Sequence, residues 1–216
     1  PDGGVRKLGI PTVVDRVIQQ GIAQKLQNIW EPLFSDSSYG YRPRRSGQQA
    51  IQKVKEYAEE GYRYAVSVDL SKYFDTLNHE LLMNLLHRKI QDMRVLRIIK
   101  KYLKSGVMEN GVVSKTEEGS PQGGPLSPLL ANIYLNEFDW KMHSRGVKTV
   151  RYADDIVVFA KSKRAAERLL EFSRKYLEGK LKLKMNTEKS KVTSIFAVKE
   201  FKFLGFCIGR NGSGIY

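Results

Sequence analysis

The sequence predicts an α+β fold in which an antiparallel sheet is backed by helices. Two observations predict it. Stretches with apolar residues at helical spacing alternate along the chain with short apolar runs bounded by turn residues. One pair of those runs, residues 147–150 and 156–160, flanks Tyr152-Ala153-Asp154-Asp155 and puts two adjacent aspartates at the tip of a hairpin. Hairpins mixed with helices, with no repeat, low-complexity tract or clear linker, read as α+β.

Residues 12–30 place Val13, Val14, Val17, Ile18, Ile22, Leu26 and Ile29 at helical spacing, an amphipathic helix with a basic and polar outer face. A loop rich in Ser, Gly, Tyr and Arg follows over 35–46. The next helix runs to about Glu60 and is closed by Gly61. Tyr64 to Val68 reads as a short strand ending in Asp69. Asn78 suits the N-cap of a helix through Ile90, and another helix covers 94–103. Asn110-Gly111 marks a hairpin within 107–115. After a Gly/Pro-rich loop over 119–125, Ser127 as cap and Pro128 in the first turn open a helix to about His143. Beyond the aspartate hairpin, a helix over 163–177 sets Ala166, Leu169, Leu170 and Leu177 on one face. Residues 191–196 and 201–208 read as further strands and 209–214 as a polar turn. The chain then stops abruptly, as expected of a piece of a longer protein.

Length and charge bound the function. The 216 residues suffice for one large domain or two small ones. Lys plus Arg number 37 against 23 Asp plus Glu, a net charge of +14, and the pI is about 9.8. That excess points to an anionic partner, nucleic acid first and an anionic membrane surface second. No long basic amphipathic helix supports the membrane, and no apolar stretch approaches a membrane span. The single cysteine, Cys207, rules out an internal disulfide and lies in an apolar run that reads as buried. His79, His87 and His143 show no metal-ligand spacing with it. A reduced, cytoplasmic setting, bacterial or organellar, fits these features.

The adjacent carboxylates carry the chemistry. Two aspartates against a buried sheet repel each other and lose solvation, so one is pushed neutral unless a cation holds both ionised. A divalent metal is the simplest such cation. A solvated turn is the competing reading, since Asp is common in turns. Asp69, at the end of the 64–68 strand, is the third carboxylate. Should that strand neighbour the hairpin, the three would form a ligand set for two Mg²⁺ ions in phosphoryl transfer; otherwise Asp69 is a strand-terminating residue.

Seven strings then occur in a telling order. They are Arg6-Lys7-Leu8-Gly9-Ile10-Pro11-Thr12 with Asp15-Arg16 and Gln19; the run from Ser38 to Ser46; Asp69 to Asp75; Gly119 to Pro128; Tyr152 to Asp155; Leu183 to Lys191; and Phe203 to Phe206. Together they resemble the fingers and palm of a reverse transcriptase, most closely those encoded by group II introns. The fold implied is a right-hand polymerase, with 1–65 mainly fingers and 66–216 mainly palm, part of 76–118 falling to either. The family's N-terminal extension, thumb, DNA-binding and endonuclease domains have no counterpart in this stretch.

The resemblance implies roles. Asp69 and Asp154 would ligate metal directly, the Leu70 carbonyl assisting and Asp155 serving as the third, weaker carboxylate. The cofactor would be two Mg²⁺ ions, with Mn²⁺ as a substitute. Arg6, Ser71, Lys72, Tyr73, Phe74 and Gln122 would form the nucleotide site. Phe74 stands where the family has a steric gate against the ribose 2′-hydroxyl; a core aromatic is its competing reading. Lys189 matches a lysine that would protonate the pyrophosphate, although five lysines crowd 180–191 and a plain basic face competes. Tyr39, Arg42, Arg44 and Arg45, with Tyr41, suit a nucleic-acid backbone and stacked bases; core tyrosines and solvated arginines are the alternative.

Two functions follow as expectations. The first is an RNA-directed DNA polymerase that adds dNTPs to a primer on an RNA template and helps its intron RNA splice and move. The second is an RNA-binding maturase scaffold without polymerisation. Retron-type and diversity-generating reverse transcriptases are further relatives consistent with the strings, and a homodimer is compatible with either function.

Overall fold

The structure is a computed structural model, and it describes residues 11–105, 107–109, 112–114, 118–120, 123–196, 201–208, 210–211 and 214–215. Arg6 and Gln122 lie outside them. The fold divides into two compact units that interleave along the chain: residues 1–33 with 72–134, and residues 34–71 with 135–216.

The first unit is mainly helical. Helix α1 (Val13–Trp30) is capped by the Thr12 hydroxyl, which accepts from the Asp15 amide. Its predicted span is observed, but its apolar stripe is not buried throughout: Gln19, Leu26 and Trp30 are buried, whereas Val13, Val14, Val17 and Ile18 are exposed. Asn78 caps α3 (His79–His87) by accepting from the Leu81 amide, and Asp92 caps α4 (Met93–Lys104). Helix α3 stops three residues short of the expected Ile90. Helix α4 buries Leu96, Ile99 and Leu103 and exposes Arg94, Arg97, Lys100, Lys101 and Lys104.

Two strands, Val107–Glu109 and Val112–Ser114, pair antiparallel across residues 110–111, as the Asn-Gly signal predicts. Gly119 adopts φ +89°, a left-handed conformation that favours glycine. A Cβ there would lie 2.8 Å from the Asp75 carbonyl carbon and the Phe74 oxygen. The close approach is bonded: the Gly119 amide donates to Leu77 O at 2.8 Å, and the Ser120 amide to Phe74 O at 2.6 Å. His79 Nε2 also bonds the Gly119 carbonyl at 2.6 Å. Helix α5 (Ser127–His143) begins in this unit and ends in the other. The Ser127 hydroxyl, expected as a cap, instead joins Tyr102 Oη and Ser120 Oγ, each at 2.9 Å.

The second unit holds the sheet. Strands β1 (Tyr64–Val68), β4 (Thr149–Tyr152), β5 (Asp155–Ala160) and β6 (Lys191–Ser194), where β2 and β3 are the strand pair just described, lie in the order β4-β5-β1-β6. Every pairing is antiparallel. Alternation sorts the side chains. Ala65, Val157, Phe159 and Val150 pack with Ala50, Val54 and Ala58 of α2 (Gly47–Glu59) and with Tyr39, Ile195, Phe201 and Phe203. Val66, Val68, Ile156 and Val158 are buried on the opposite face. Helix α6 (Lys163–Gly179), capped by Ser162, packs on the sheet and buries Ala166, Ser173 and Leu177.

Two expectations change here. Residues 201–208 are not one strand but a hairpin, Phe201–Phe203 (β7) against Phe206–Ile208 (β8). Cys207 is exposed rather than buried. It pairs with exposed Lys202, so both lie on the face opposite buried Phe201 and Phe203, and an apolar run of three residues says nothing about which face meets the core. A last two-stranded ladder joins Arg210–Asn211 (β9) to Gly214–Ile215 (β10). Among the described residues, no helix is long and apolar enough to cross a membrane.

Gly119→Ala should lower the unfolding free energy by about 1–3 kcal/mol, from strained φ and collision with residues 74–75. Urea unfolding measures it; an unchanged midpoint would show that the loop moves away without cost.

Candidate active site

The two strands that carry aspartates are neighbours. β1 pairs with β5 through Val66↔Val158 and Val68↔Ile156. Extending that register one step sets Asp69, the residue after Val68, across from Asp155. Asp154 precedes Asp155 in a two-residue turn closed by the Tyr152↔Asp155 pair. Ala153 has φ +57°, a left-handed conformation that favours glycine. A strained alanine of this kind persists only where its surroundings hold it.

The surroundings are specific. Arg151, the strand residue two before the turn, is fully buried and so is its partner Asp139 on α5. Arg151 Nη2 donates to Asp139 Oδ2 at 2.6 Å, and Nε donates to both carboxylate oxygens at 2.9–3.0 Å. Nη1 donates to the Ala153 carbonyl at 2.8 Å, and Nη2 also to Ser38 Oγ at 2.8 Å. The backbone of the 35–42 loop follows the same strand: Arg151 N donates to Ser37 O, and Tyr39 N to Arg151 O, both at 2.8 Å. Gly40 presses on the turn; a Cβ there would collide with the Ala153 nitrogen and lie 3.0 Å from the Tyr152 carbonyl carbon.

A second loop grips Asp69. The Asp69 amide donates to Ser190 Oγ at 3.0 Å, and the Asn186 amide donates to the Asp69 carbonyl at 2.9 Å. With Ser71 N to Lys184 O at 2.8 Å, the latter bond forms the Leu70↔Met185 bridge. The bridge's bonds come from residues 69 and 71, so the Leu70 carbonyl is not one of its acceptors. Asn186 Oδ1 accepts from the amides of Glu188 and Lys189. That turn sets exposed Lys189 close enough to act on Asp69 electrostatically.

The charges agree with this proximity. Burial raises the Asp69 carboxyl above its ordinary value, Lys189 opposes the rise, Asp154 adds to it, and a hydrogen bond from Asn186 opposes it. Asp155 keeps exposed surface, yet desolvation by the protein around it, then Asp154 and Asp69, raises it too. Tyr41, at φ +55° and half-exposed, has its phenol raised by burial and then by Asp154, Tyr152 and Asp155. Among the described residues, no three His, Cys, Asp or Glu side chains gather tightly enough to form a ready metal shell. The acids are coupled without meeting at one point.

The structure thus brings Asp69, Leu70, Ser71, Asp154, Asp155 and Lys189 together in the second unit. Lys72, Tyr73 and Phe74 belong to the first. Lys72 has φ +49°, and Tyr73 to Asp75 form a 3₁₀ turn. Tyr73 is buried, its hydroxyl donating to Ala131 O at 2.6 Å. Phe74 packs edge-on against the Tyr73 ring, with centroids 5.4 Å apart.

The expected nucleic-acid cluster divides. Tyr39 is a core residue, 5% exposed. Arg42 is 9% exposed, stacks on Phe34, and donates from Nη1 to the carbonyls of Ser35 and Ser38 at 2.8 Å. It braces the loop from inside. Arg44 is exposed; Arg45 is half-exposed, paired with Asp36 at 2.6 Å and stacked on Tyr39. Sequence reasoning missed Arg151, Asp139, Ser38 and Ser190 as supports of the site. A charged residue inside an apolar strand, and another on a helix that is apolar nearly all round, were the available signals.

Asp69 and Asp155 hold their protons to a higher pH in the folded protein than in the unfolded chain. They therefore favour folding below the ordinary aspartate value of 3.8, and that contribution is lost as pH rises through their folded values. In chelator, Asp155→Asn should melt above wild type at neutral pH and level with it at pH below 3.8. A gap of constant size across that range would show that Asp155 is not strained by charge.

Comparison with known proteins agrees with this geometry. Residues 1–208 match the family described as reverse transcriptase (RNA-dependent DNA polymerase). The chain is 36% identical to Protein YkfC of Escherichia coli K12, over 98% of this chain and 65% of that protein. It is 32% identical to the group II intron-encoded protein LtrA of Lactococcus lactis, over 97% of this chain and 45% of that protein. The chain thus spans between about half and two thirds of the length of these relatives. A solved Candida tropicalis telomerase, in complex with a fragment of telomeric RNA, shares the fold: TM-score 0.67 at 14% identity, over 91% of this chain and 36% of that one. With its ordered strings, its antiparallel aspartate-bearing sheet and these relatives, the chain belongs to the reverse transcriptase (RNA-dependent DNA polymerase) family.

Proposed function

We propose that this protein is an RNA-directed DNA polymerase of a group II intron retroelement, extending a primer 3′-hydroxyl with dNTPs on an RNA template. One observation carries the reading: the β1–β5 pairing draws Asp69 to the Asp154–Asp155 turn, so that each of Asp69 and Asp155 responds to Asp154. Two carboxylates raised by crowding and by the charge of a third, Asp154, suit a site for divalent cations, which reverse transcriptases generally use. The donor set, Asp69 and Asp154 with the Leu70 carbonyl, is all hard oxygen and fits Mg²⁺, with Mn²⁺ as a substitute. Bound there, two Mg²⁺ ions would supply Lewis-acid activation of the primer hydroxyl and charge neutralisation at the phosphates.

The chain's own residues do the rest. Ser190 and Asn186 orient Asp69, and the 151–154 segment presents Asp154. Lys189 is assigned to proton donation at the pyrophosphate oxygen, and Phe74 to exclusion of a ribose 2′-hydroxyl. Arg6, Ser71, Lys72, Tyr73 and Gln122 complete the nucleotide site in this reading, by resemblance. The sheet-bearing unit is assigned to the palm. The net charge of +14 supports RNA as partner, with exposed Arg44 at the template and intron RNA bound elsewhere on the basic surface.

In the full-length protein, Asp154→Ala should cut Mg²⁺-dependent dNTP incorporation by about a hundred- to a thousandfold, and chelation should abolish it. Primer extension equal to wild type would sink the assignment. Phe74→Val should raise incorporation of ribonucleotides relative to deoxyribonucleotides; unchanged discrimination removes the gate. A maturase role, favoured by the charge, predicts RNA affinity that falls linearly on a log–log plot against salt and survives Asp154→Ala.

A further inference from the structure

We infer that Arg151 is a positioning residue: through the Ala153 carbonyl it holds the turn that presents Asp154, and through Ser38 it locks that turn to the 35–42 loop. The inference rests on the polymerase reading above. It starts from a conformational cost. Ala153 sits at φ +57°, where a side chain is disfavoured by about 1–3 kcal/mol unless neighbours over-determine it. Its neighbours are Gly40, whose backbone closes on the Ala153 nitrogen, and Arg151 Nη1, which bonds the Ala153 carbonyl at 2.8 Å.

Asp139 makes the arrangement tenable. It faces Arg151 with both oxygens and is itself wholly buried, so the pair is neutral. The planar fork matters more than the charge: Nε and Nη2 are occupied by Asp139, leaving Nη1 aimed at the turn. Nη2 turns also to Ser38 Oγ, 113 residues away in sequence. Ser38 is in the loop whose Gly40 closes on the Ala153 nitrogen and whose Ser37 and Tyr39 bond the Arg151 backbone. One guanidinium thereby sets the spacing between the turn and that loop. An error of about 1 Å at such a position costs on the order of a hundredfold in rate.

Arg151→Met with Asp139→Leu removes the clamp without leaving a buried charge, a replacement that is often neutral for stability. In the full-length protein, melting is followed by circular dichroism, Mn²⁺ binding by electron paramagnetic resonance, and single-nucleotide incorporation by rapid quench. The folded double variant should bind Mn²⁺ more weakly than wild type and lose about a hundredfold in kcat with little change in KM for dNTP. Arg151→Lys, which keeps the charge and loses the fork, should fold and show the same losses in smaller measure; it decides the matter if the double variant does not fold. Wild-type Mn²⁺ affinity and kcat in a folded variant overturn the inference alone. A wild-type protein that binds no more Mn²⁺ than Asp154→Ala and extends no primer overturns the polymerase reading and the inference with it.

Discussion

The buried pair of Arg151 and Asp139 is the constraint on which the site depends. Neither side chain has any exposed surface, so both have lost their water. Such a pair is tolerable only when its geometry is good and its remaining donors are satisfied, and removing one partner alone costs about 3–5 kcal/mol. Here the donors reach α5, the 35–42 loop and the Ala153 carbonyl. Three segments distant in sequence therefore acquire one relative position. The turn bearing Asp154 is a consequence of that position rather than of its own preferences, since alanine resists the φ it adopts.

On this frame the protein assembles charges that oppose one another. Asp69 and Asp155 are both raised by crowding and by Asp154, and only Lys189 and Asn186 act against the rise at Asp69. A sequence selected for stability alone would not place these groups together. The proposed cation site would account for the arrangement. Rigidity in the supports and electrostatic strain in the acids belong together, because a loose turn would let the carboxylates drift apart and relieve their repulsion.

The basic residues divide by the same physics. The net charge of +14 treats all arginines alike. In the fold, Arg42 and Arg151 are internal struts, their guanidinium groups bonded to carbonyls and a carboxylate, while Arg44 and the outer face of α4 remain in water. Only the exposed group can release counterions from a nucleic acid. A string that resembles a nucleic-acid-binding block thus contains loop-bracing residues, Tyr39 and Arg42, side by side with surface ones.

By itself, the sequence determined the helices, the cap at Asn78, the hairpin within 107–115, the aspartate turn and the family. These depend on periodicity and turn chemistry within a few residues, which any stretch of chain displays. The order of the seven strings added the identity of the chemistry. Tertiary structure alone decided that Asp69 stands across from Asp155, that α1 leaves Val13 and Val17 exposed, that 201–208 folds back on itself and that Cys207 faces outward. It alone found the clamp, because Arg151 meets Ser38 across 113 residues. Burial and cross-strand partnership are properties of what the folded chain brings near, and no local pattern encodes which distant segment that will be.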